Sequence, residues 1–398
     1  MRSRVTAYFE DRLGPTWTTF AGIFIVTNLG LLAVGATLPV IPRYVTDELN
    51  GSDLEVAIVT GAFAATGFFC RPLAGREADR RGRRITVIAG ATLAMVAGAL
   101  LFLPASIPGL ILSRLVLGAG EGTVFTAGSA WNVDMAPEER RGRMIGFYGL
   151  SIWTGLTLGP PIGVALQHAW GYNAVWAFAA LAPALAAIIA SRLPESVAPA
   201  GERARGPLIS REAAPPGGTF SLGVVGFAAV SAFLVLSLDE RGIGHGAEVF
   251  SVFAGTVVLT RFIGGGLPDR IGAARSALGA GLVECVGLIL LGSAQSLPVA
   301  ILGAMGMGAA FSLLFPSLSL LAVNRVPPER RGAAMGTFTA SFDLGMLVGS
   351  PAVGAAAAIG GYSAAFYLAA ASALACAAIS TTFIGEAVPD VEAGAEAT

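Results

Sequence analysis

Gly75-Arg76-Glu77-Ala78-Asp79-Arg80-Arg81-Gly82-Arg83-Arg84 is a run of charge and glycine between two apolar stretches, and a degraded copy of it returns 190 positions later. Arg71, Gly75, Asp79, Arg80 and Gly82 recur as Arg261, Gly265, Asp269, Arg270 and Gly272. Further along, Pro137, Glu139, Arg140, Arg141, Gly142 and Gly146 recur as Pro327, Glu329, Arg330, Arg331, Gly332 and Gly336. Gly155, Gly159 and Pro161 return as Gly345, Gly349 and Pro351. The chain is therefore two halves on one plan, and what repeats is glycine, proline and charge as well as apolar character.

The halves are too apolar for water. Hydrophobic residues make up 54% of the chain and charged ones 13%, with a mean hydropathy of +0.71; a polar shell cannot cover that surface, so the lipid bilayer is the solvent. Apolar stretches long enough to cross a hydrocarbon core of about 30 Å lie at 17–41, 56–73, 85–103, 110–133, 144–166, 172–190, 220–238, 249–267, 276–293, 299–323, 334–357 and 362–383. These twelve spans, six per half, predict an all-α membrane protein of two pseudo-symmetric six-helix bundles. Duplicated halves of this kind point to a secondary transporter.

Orientation follows from arginine, because the chain has no lysine. Of its 25 basic residues, 22 gather on one side if the N-terminus is inside; Arg43 and Arg241 fall outside and Arg114 lies within a span. The positive-inside rule then puts both termini in the cytoplasm. A net charge of −1 gives no reason to expect nucleic acid as a partner. Glu10 and Asp11 interrupt the first segment and no small-residue cleavage site follows span 1, so no signal peptide is expected. Residues 1–16 form a cytoplasmic segment, either a short amphipathic helix on the inner membrane surface or unstructured chain. The bundles occupy 17–192 and 219–385. Between them, 193–218 is proline-rich and charged and reads as a flexible cytoplasmic linker; the acidic tail 386–398 reads as disordered. Cys70, Cys285 and Cys376 fall in spans without metal-ligand spacing, so no metal, redox or catalytic role is assigned to them.

The opening run resembles the cytoplasmic loop signature of the major facilitator superfamily, and the resemblance extends over the whole chain. Physically, Asp79 at the inner mouth of span 2 suits the exposed N–H groups at the start of span 11 near Gly332, where the helix dipole favours a carboxylate. The resemblance implies the same role: a conformational latch comprising Gly75, Asp79, Arg80, Gly82 and Arg83, with Asp269 as a weaker mirror copy. The alternative is that the arginines only set topology. Span 5, with Gly146, Gly155, Gly159, Pro160 and Gly163, is similar to the signature that separates proton-driven exporters from importers in this family. Gly155, Gly159 and Gly163 make one smooth helix face for close packing, while Pro160 and Pro161 favour a kink. Arg114, followed by Gly118, Gly120 and Gly122, resembles the span 4 signature whose arginine is implicated in proton coupling.

Arg114, Glu121, Glu284 and Asp343 lie inside spans, where a central charge costs about 2.5 to 3.5 kcal/mol. Arg114 and Glu121 are two helical turns apart on one face. Under the repeat Glu121 corresponds to Phe311 and Asp343 to Trp153, so carboxylates and rings are expected to face one central site. The expected proton-coupling residues are Glu121, Asp343 and Arg114; the expected substrate-binding residues are Asn28, Trp153, Phe311, Glu121 and Asp343. Such a site suits an amphipathic or cationic organic molecule. The resemblance places span 9 at the periphery, leaving Glu284 open between structure and function.

The sequence thus predicts a monomeric, proton-coupled exporter of a small organic or drug-like molecule in a bacterial inner membrane, acting by alternating access. It is not expected to be an enzyme or to carry a cofactor. ATP drive is not supported, since a phosphate loop ending in Lys-Ser or Lys-Thr needs a lysine. Two alternatives stand beside it: an uptake symporter or facilitator for a sugar or other metabolite, and a membrane receptor or scaffold on the same fold.

Overall fold

A computed structural model of the chain describes residues 4–103, 106–135, 141–196, 210–326 and 331–384. Every regular element among the described residues is a helix, with no strand among them. In order they form α1 (Arg4–Thr37), α2 (Val40–Arg43), a π-helical turn Tyr44–Glu48, α3 (Asp53–Gly61), α4 (Phe63–Arg81), α5 (Arg83–Leu100), α6 (Ile107–Met135), α7 (Arg141–Trp170) and α8 (Tyr172–Arg192). The rest are α9 (Ala214–Glu240), α10 (Gly246–Gly264), α11 (Leu267–Ile271), α12 (Ala273–Ser293), α13 (Leu297–Asn324) and α14 (Arg331–Thr382).

Eleven helical stretches among the described residues are long and apolar enough to cross a membrane. The last of them, Ala334–Thr382, has 49 residues, too many for one crossing at 1.5 Å per residue. It breaks at Gly360 (φ −132°) and Gly361 (φ 71°), which divides it into the two spans expected at 334–357 and 362–383.

The chain divides into two compact units, one of Met1–Asn50 with Ala62–Gly201 and the other of Gly51–Gly61 with Glu202–Thr398. Within the first, α1 packs on α7 and α8, α5 on α6 and α8, and α4 on α6. Within the second, α9 packs on α14, α12 on α13 and α14, and α10 on α13. Shifted by 190 positions these pairings coincide, so the repeat in sequence is a repeat in packing. Apolar side chains turn outward as well as inward: on α12, Leu282, Val283, Val286 and Ile289 are exposed while Ala280, Glu284, Leu288 and Leu291 are buried. That outward face suits lipid.

Three boundaries differ from those expected. Span 2 is broken into α3 and α4, and Gly51–Gly61 belongs to the second unit rather than to the 17–192 bundle. The reason is small-residue packing: a Cβ on Gly354 would stand 2.6 Å from the Ala57 Cβ, and one on Gly61 would meet the Ser350 side chain. The described ends of the expected 193–218 linker are packed. Ser196 and Ser210 are buried, and α9 starts at Ala214 with proline at its first positions, where the missing N–H costs nothing. Residues 197–209 and the tail 385–398 lie outside the described residues. Finally, α1 runs unbroken from Arg4, so the N-terminal segment continues into span 1 rather than forming a separate helix.

Arg241, one of the arginines outside the main cluster, has a structural task. Its guanidinium donates to the carbonyls of Leu291 (2.9 Å), Gly292 (2.8 Å) and Ala294 (3.0 Å) and to Ser363 Oγ (3.0 Å). It thereby satisfies the open carbonyls at the end of α12 and ties them to the last span.

Candidate functional site

The glycine face of α7 is seated on α1. A Cβ at Gly155 would lie 2.9 Å from the Leu31 carbonyl carbon, one at Gly159 2.6 Å from Gly35 Cα, and one at Gly163 would run into the Ala36 carbonyl oxygen. Only hydrogen fits at these places, and the two backbones touch, as small residues allow in a membrane. Polar bonds cross the same seam. Asn28 Nδ2 donates to the Ser151 carbonyl (2.9 Å) and Thr154 Oγ1 (2.8 Å), and the Thr27 and Tyr148 hydroxyls are 3.0 Å apart. Asn28 is thus held by α7. Trp153 follows on the same helix and is partly buried.

Arg114 and Glu121 both turn toward α1. Arg114 is 6% exposed; its Nη1 donates to Thr37 Oγ1 at 3.4 Å, and its Nε has no hydrogen-bond partner among the described residues. Glu121, two turns further along, lines an apolar cavity with Gly30 and Leu31 of α1, Ala94 of α5, Leu117 and Val124 of its own helix, and Ala186 of α8. The cavity measures about 10 Å³, room for one water and no organic molecule. The Arg71 guanidinium sits 5.3 Å from the Phe125 ring centre, and that ring stacks on Tyr148 with centres 5.9 Å apart.

In the second unit Asp343 is fully buried and Phe311 is 3% exposed. Phe311 sits among the rings of Phe227 (5.7 Å), Phe220 (6.2 Å) and Phe253 (6.3 Å), a packed aromatic cluster that extends to Phe338. The first unit therefore gathers Arg114, Glu121, Asn28 and Trp153, and the second holds Phe311 and Asp343.

The arginine-rich loop joins α4 to α5 through Gly82 at φ 102° and ψ 155°, and its counterpart Gly272 takes φ 92° and ψ 141°. No side chain tolerates that backbone well, which explains why this glycine recurs. Arg80 is exposed and lies 3.6 Å from Glu77. A Cβ on Gly75 of α4 would stand 3.7 Å from Thr126 Cγ2, an ordinary contact. Side chains of Asp79 and Asp269, and the packing around Gly146, lie outside the described residues. Sequence reasoning missed the anchor of this loop. Arg83 is buried and its Nε is 2.9 Å from Asp134 Oδ2, which also accepts from Ser196 Oγ at 3.3 Å. The Arg84 backbone N–H donates to Glu195 Oε1 at 3.0 Å. The available signal was the acidic residue at the arginine-rich end of each of two other spans. Arg83→Ala is expected to lower the stability of the first unit by about 2 kcal/mol, the scale for losing a hydrogen bond to a charged group when one partner is buried and the other partly exposed. A thermal midpoint equal to wild type would refute that.

Two like-built helical bundles, duplicated within one apolar chain and each packed internally through close glycine contacts, are the architecture of a polytopic membrane transporter. Comparison with known proteins names the family. The sequence pattern of the Major Facilitator Superfamily matches residues 23–247 and again 217–397. An uncharacterized MFS-type transporter of Salmonella typhimurium is 33% identical over 359 residues, 88% of this chain and 92% of its own length. One from Burkholderia mallei is 34% identical over 368 residues, 89% of each chain. The chain belongs to the major facilitator superfamily and is a membrane transporter. Solved structures share the fold at low identity. The nucleoside transporter NupG aligns with a TM-score of 0.76 at 13% identity, over 93% of this chain and 100% of that one. The human organic anion transporter MFSD10 aligns at 0.70 and 22%, over 92% and 99%.

Proposed function

We propose that the protein exports a small organic molecule in exchange for protons, by alternating access, as a monomer in a bacterial inner membrane with both termini inside. The observation that carries this reading is the seating of Gly155, Gly159 and Gly163 on the α1 backbone. That face belongs to the motif whose resemblance sets proton-driven exporters apart from importers, and here it is a working contact between two helices. Glu121 and Asp343 supply carboxyl groups within spans, with Arg114 buried on the same side of α6 as Glu121. Protonation of either carboxyl in the outward state removes a charge from the membrane interior and releases the substrate; loss of the proton toward the cytoplasm resets the site. Trp153, Phe311 and Asn28 complete the proposed binding set, and an amphipathic or cationic organic substrate fits two carboxylates with aromatic neighbours. The latch of Asp79, with Asp269 as its weaker copy, closes the cytoplasmic end in the outward state.

The energies are adequate. One proton moving down 100 mV supplies about 2.3 kcal/mol, close to the roughly 2.7 kcal/mol that holds a neutral solute at a hundredfold gradient. The test is an efflux panel of toxic organic compounds in cells with and without the gene, repeated with a protonophore. Export that collapses with the proton gradient supports the reading. Accumulation instead of depletion establishes uptake, and binding without flux establishes a receptor.

A further inference from the structure

Glu284 on α12 is fully buried, and neither of its carboxyl oxygens has a hydrogen-bond partner among the described residues. Helix α9 leaves space for it by carrying two glycines. A Cβ on Gly226 would collide with Glu284 Oε1, and one on Gly223 would stand 3.4 Å from Oε2. The remaining walls are apolar or sulfur. The same two glycine positions lie 3.1 Å from Met307 Cε, 2.7 Å from Leu314 Cδ1 and 4.0 Å from Cys376 Sγ.

The repeat gives this slot its meaning. Shifted back by 190 positions, Glu284, Met307, Leu314 and Cys376 become Ala94, Leu117, Val124 and Ala186. All four of those line the small apolar cavity of the first unit. The place that is a small cavity in the first unit is thus occupied in the second by the Glu284 side chain. In the first unit the α5 position holds alanine and the carboxyl at this cavity, that of Glu121, comes from α6, so packing at the α5 position does not require one. The second unit puts one there.

We propose that Glu284 is a proton-binding site inside the second unit, carrying its proton as a neutral carboxylic acid in the slot between α9, α12, α13 and α14. The chemistry of the walls supports the neutral form. From α14 the titratable neighbour is Cys376, and along α12 it is Cys285; α9 and α13 present Gly223, Gly226, Met307 and Leu314. None of these is a cation, and a bare carboxylate without a partner in such surroundings is strongly disfavoured. The site is also closed, so its proton exchanges with water only when α12 parts from α9 or α14. The proposal concerns a residue other than Glu121 and Asp343, and it stands whether or not the transporter is driven by protons.

Infrared spectroscopy of the full-length protein in lipid nanodiscs tests it. At neutral pH the wild type is expected to show the carbonyl stretch of a protonated carboxylic acid. That band should be lost in Glu284→Gln and kept in Glu121→Gln and Asp343→Asn. It should move to its deuterated position in heavy water more slowly than exposed carboxyls do. Should Glu284→Gln fail to fold, Glu284→Ala, which reproduces the first unit's side chain, serves the same purpose, and heavy-carbon labelling of glutamate in the wild type must shift the band. A missing band, a band unchanged in the Glu284 variants or by glutamate labelling, or exchange as fast as at the surface overturns the proposal.

Discussion

Asp343→Asn is expected to abolish proton-driven transport while leaving the fold intact, and Glu121→Gln is expected to do the same from the first unit. Both changes keep size and remove only the ability to gain and lose a charge. Asp343 is fully buried, so a larger or apolar replacement would mix packing effects with coupling effects; the amide does not. If a carboxyl carries the coupling, its charge must appear and disappear once per cycle, against a cost of about 2.5 to 3.5 kcal/mol for a charge at the bilayer centre. An amide forfeits that step, and the gradient one proton sustains, roughly fiftyfold at 100 mV, should fall to none. Exchange of labelled substrate across the membrane without a proton gradient should survive, because it needs no net proton movement. The pair of measurements separates lost coupling from lost protein. Gradient-driven transport at wild-type level in both variants would remove these residues from the coupling role.

Much of the fold was legible because glycine, proline and arginine carry position-specific information in a membrane protein. Gly82 and Gly272 recur because each turn needs a positive φ, and the helix pairings recur with them. The α1 to α7 seam was legible on one side only. Four-residue spacing marks Gly155, Gly159 and Gly163 as a smooth face, but nothing in that spacing says the face meets Leu31, Gly35 and Ala36. The break of span 2 at Ala62 was hidden for the same reason. Apolar periodicity reports that a segment is buried and is silent on which unit buries it, so 56–61 read as the start of a continuous first-half span 56–73.

The polar residues show the same limit more sharply. Arg83 was singled out for its place in the loop, yet its Asp134 and Ser196 neighbours come from spans 4 and 6 and their surroundings, far away in sequence. The symmetry that pairs Glu121 with Phe311 locates equivalent places on α6 and α13, but it does not give their contents. Glu121 lines a cavity, whereas Phe311 fills its surroundings with rings. Duplication fixes backbone positions; side chains then diverge, and Glu284 against Ala94 is the clearest case.

Gly159→Val is expected to reduce transport tenfold or more, by a mechanical route. A Cβ there would lie 2.6 Å from Gly35 Cα and carbonyl carbon and 2.7 Å from Ala36 N. Carbon atoms settle about 3.5 to 4.0 Å apart, so the helices must separate by roughly 1 Å, and the valine methyls demand more. Overpacking of this kind costs about 1 to 3 kcal/mol, and against a backbone the strain has no flexible side chain to absorb it. The same displacement pulls Asn28 away from Ser151 and Thr154, whose bonds are 2.9 and 2.8 Å, and shifts the Gly30 and Leu31 wall opposite Glu121. Gly149→Ala is the control on the same helix, because a Cβ there meets nothing within 4 Å among the described residues; it should transport like wild type. Measured at equal protein abundance, a drop of tenfold or more for Gly159→Val with none for Gly149→Ala assigns the effect to the seam. Equal activity in the two variants would mean that α1 and α7 tolerate separation, and the contact that carries the export reading would lose its mechanical basis.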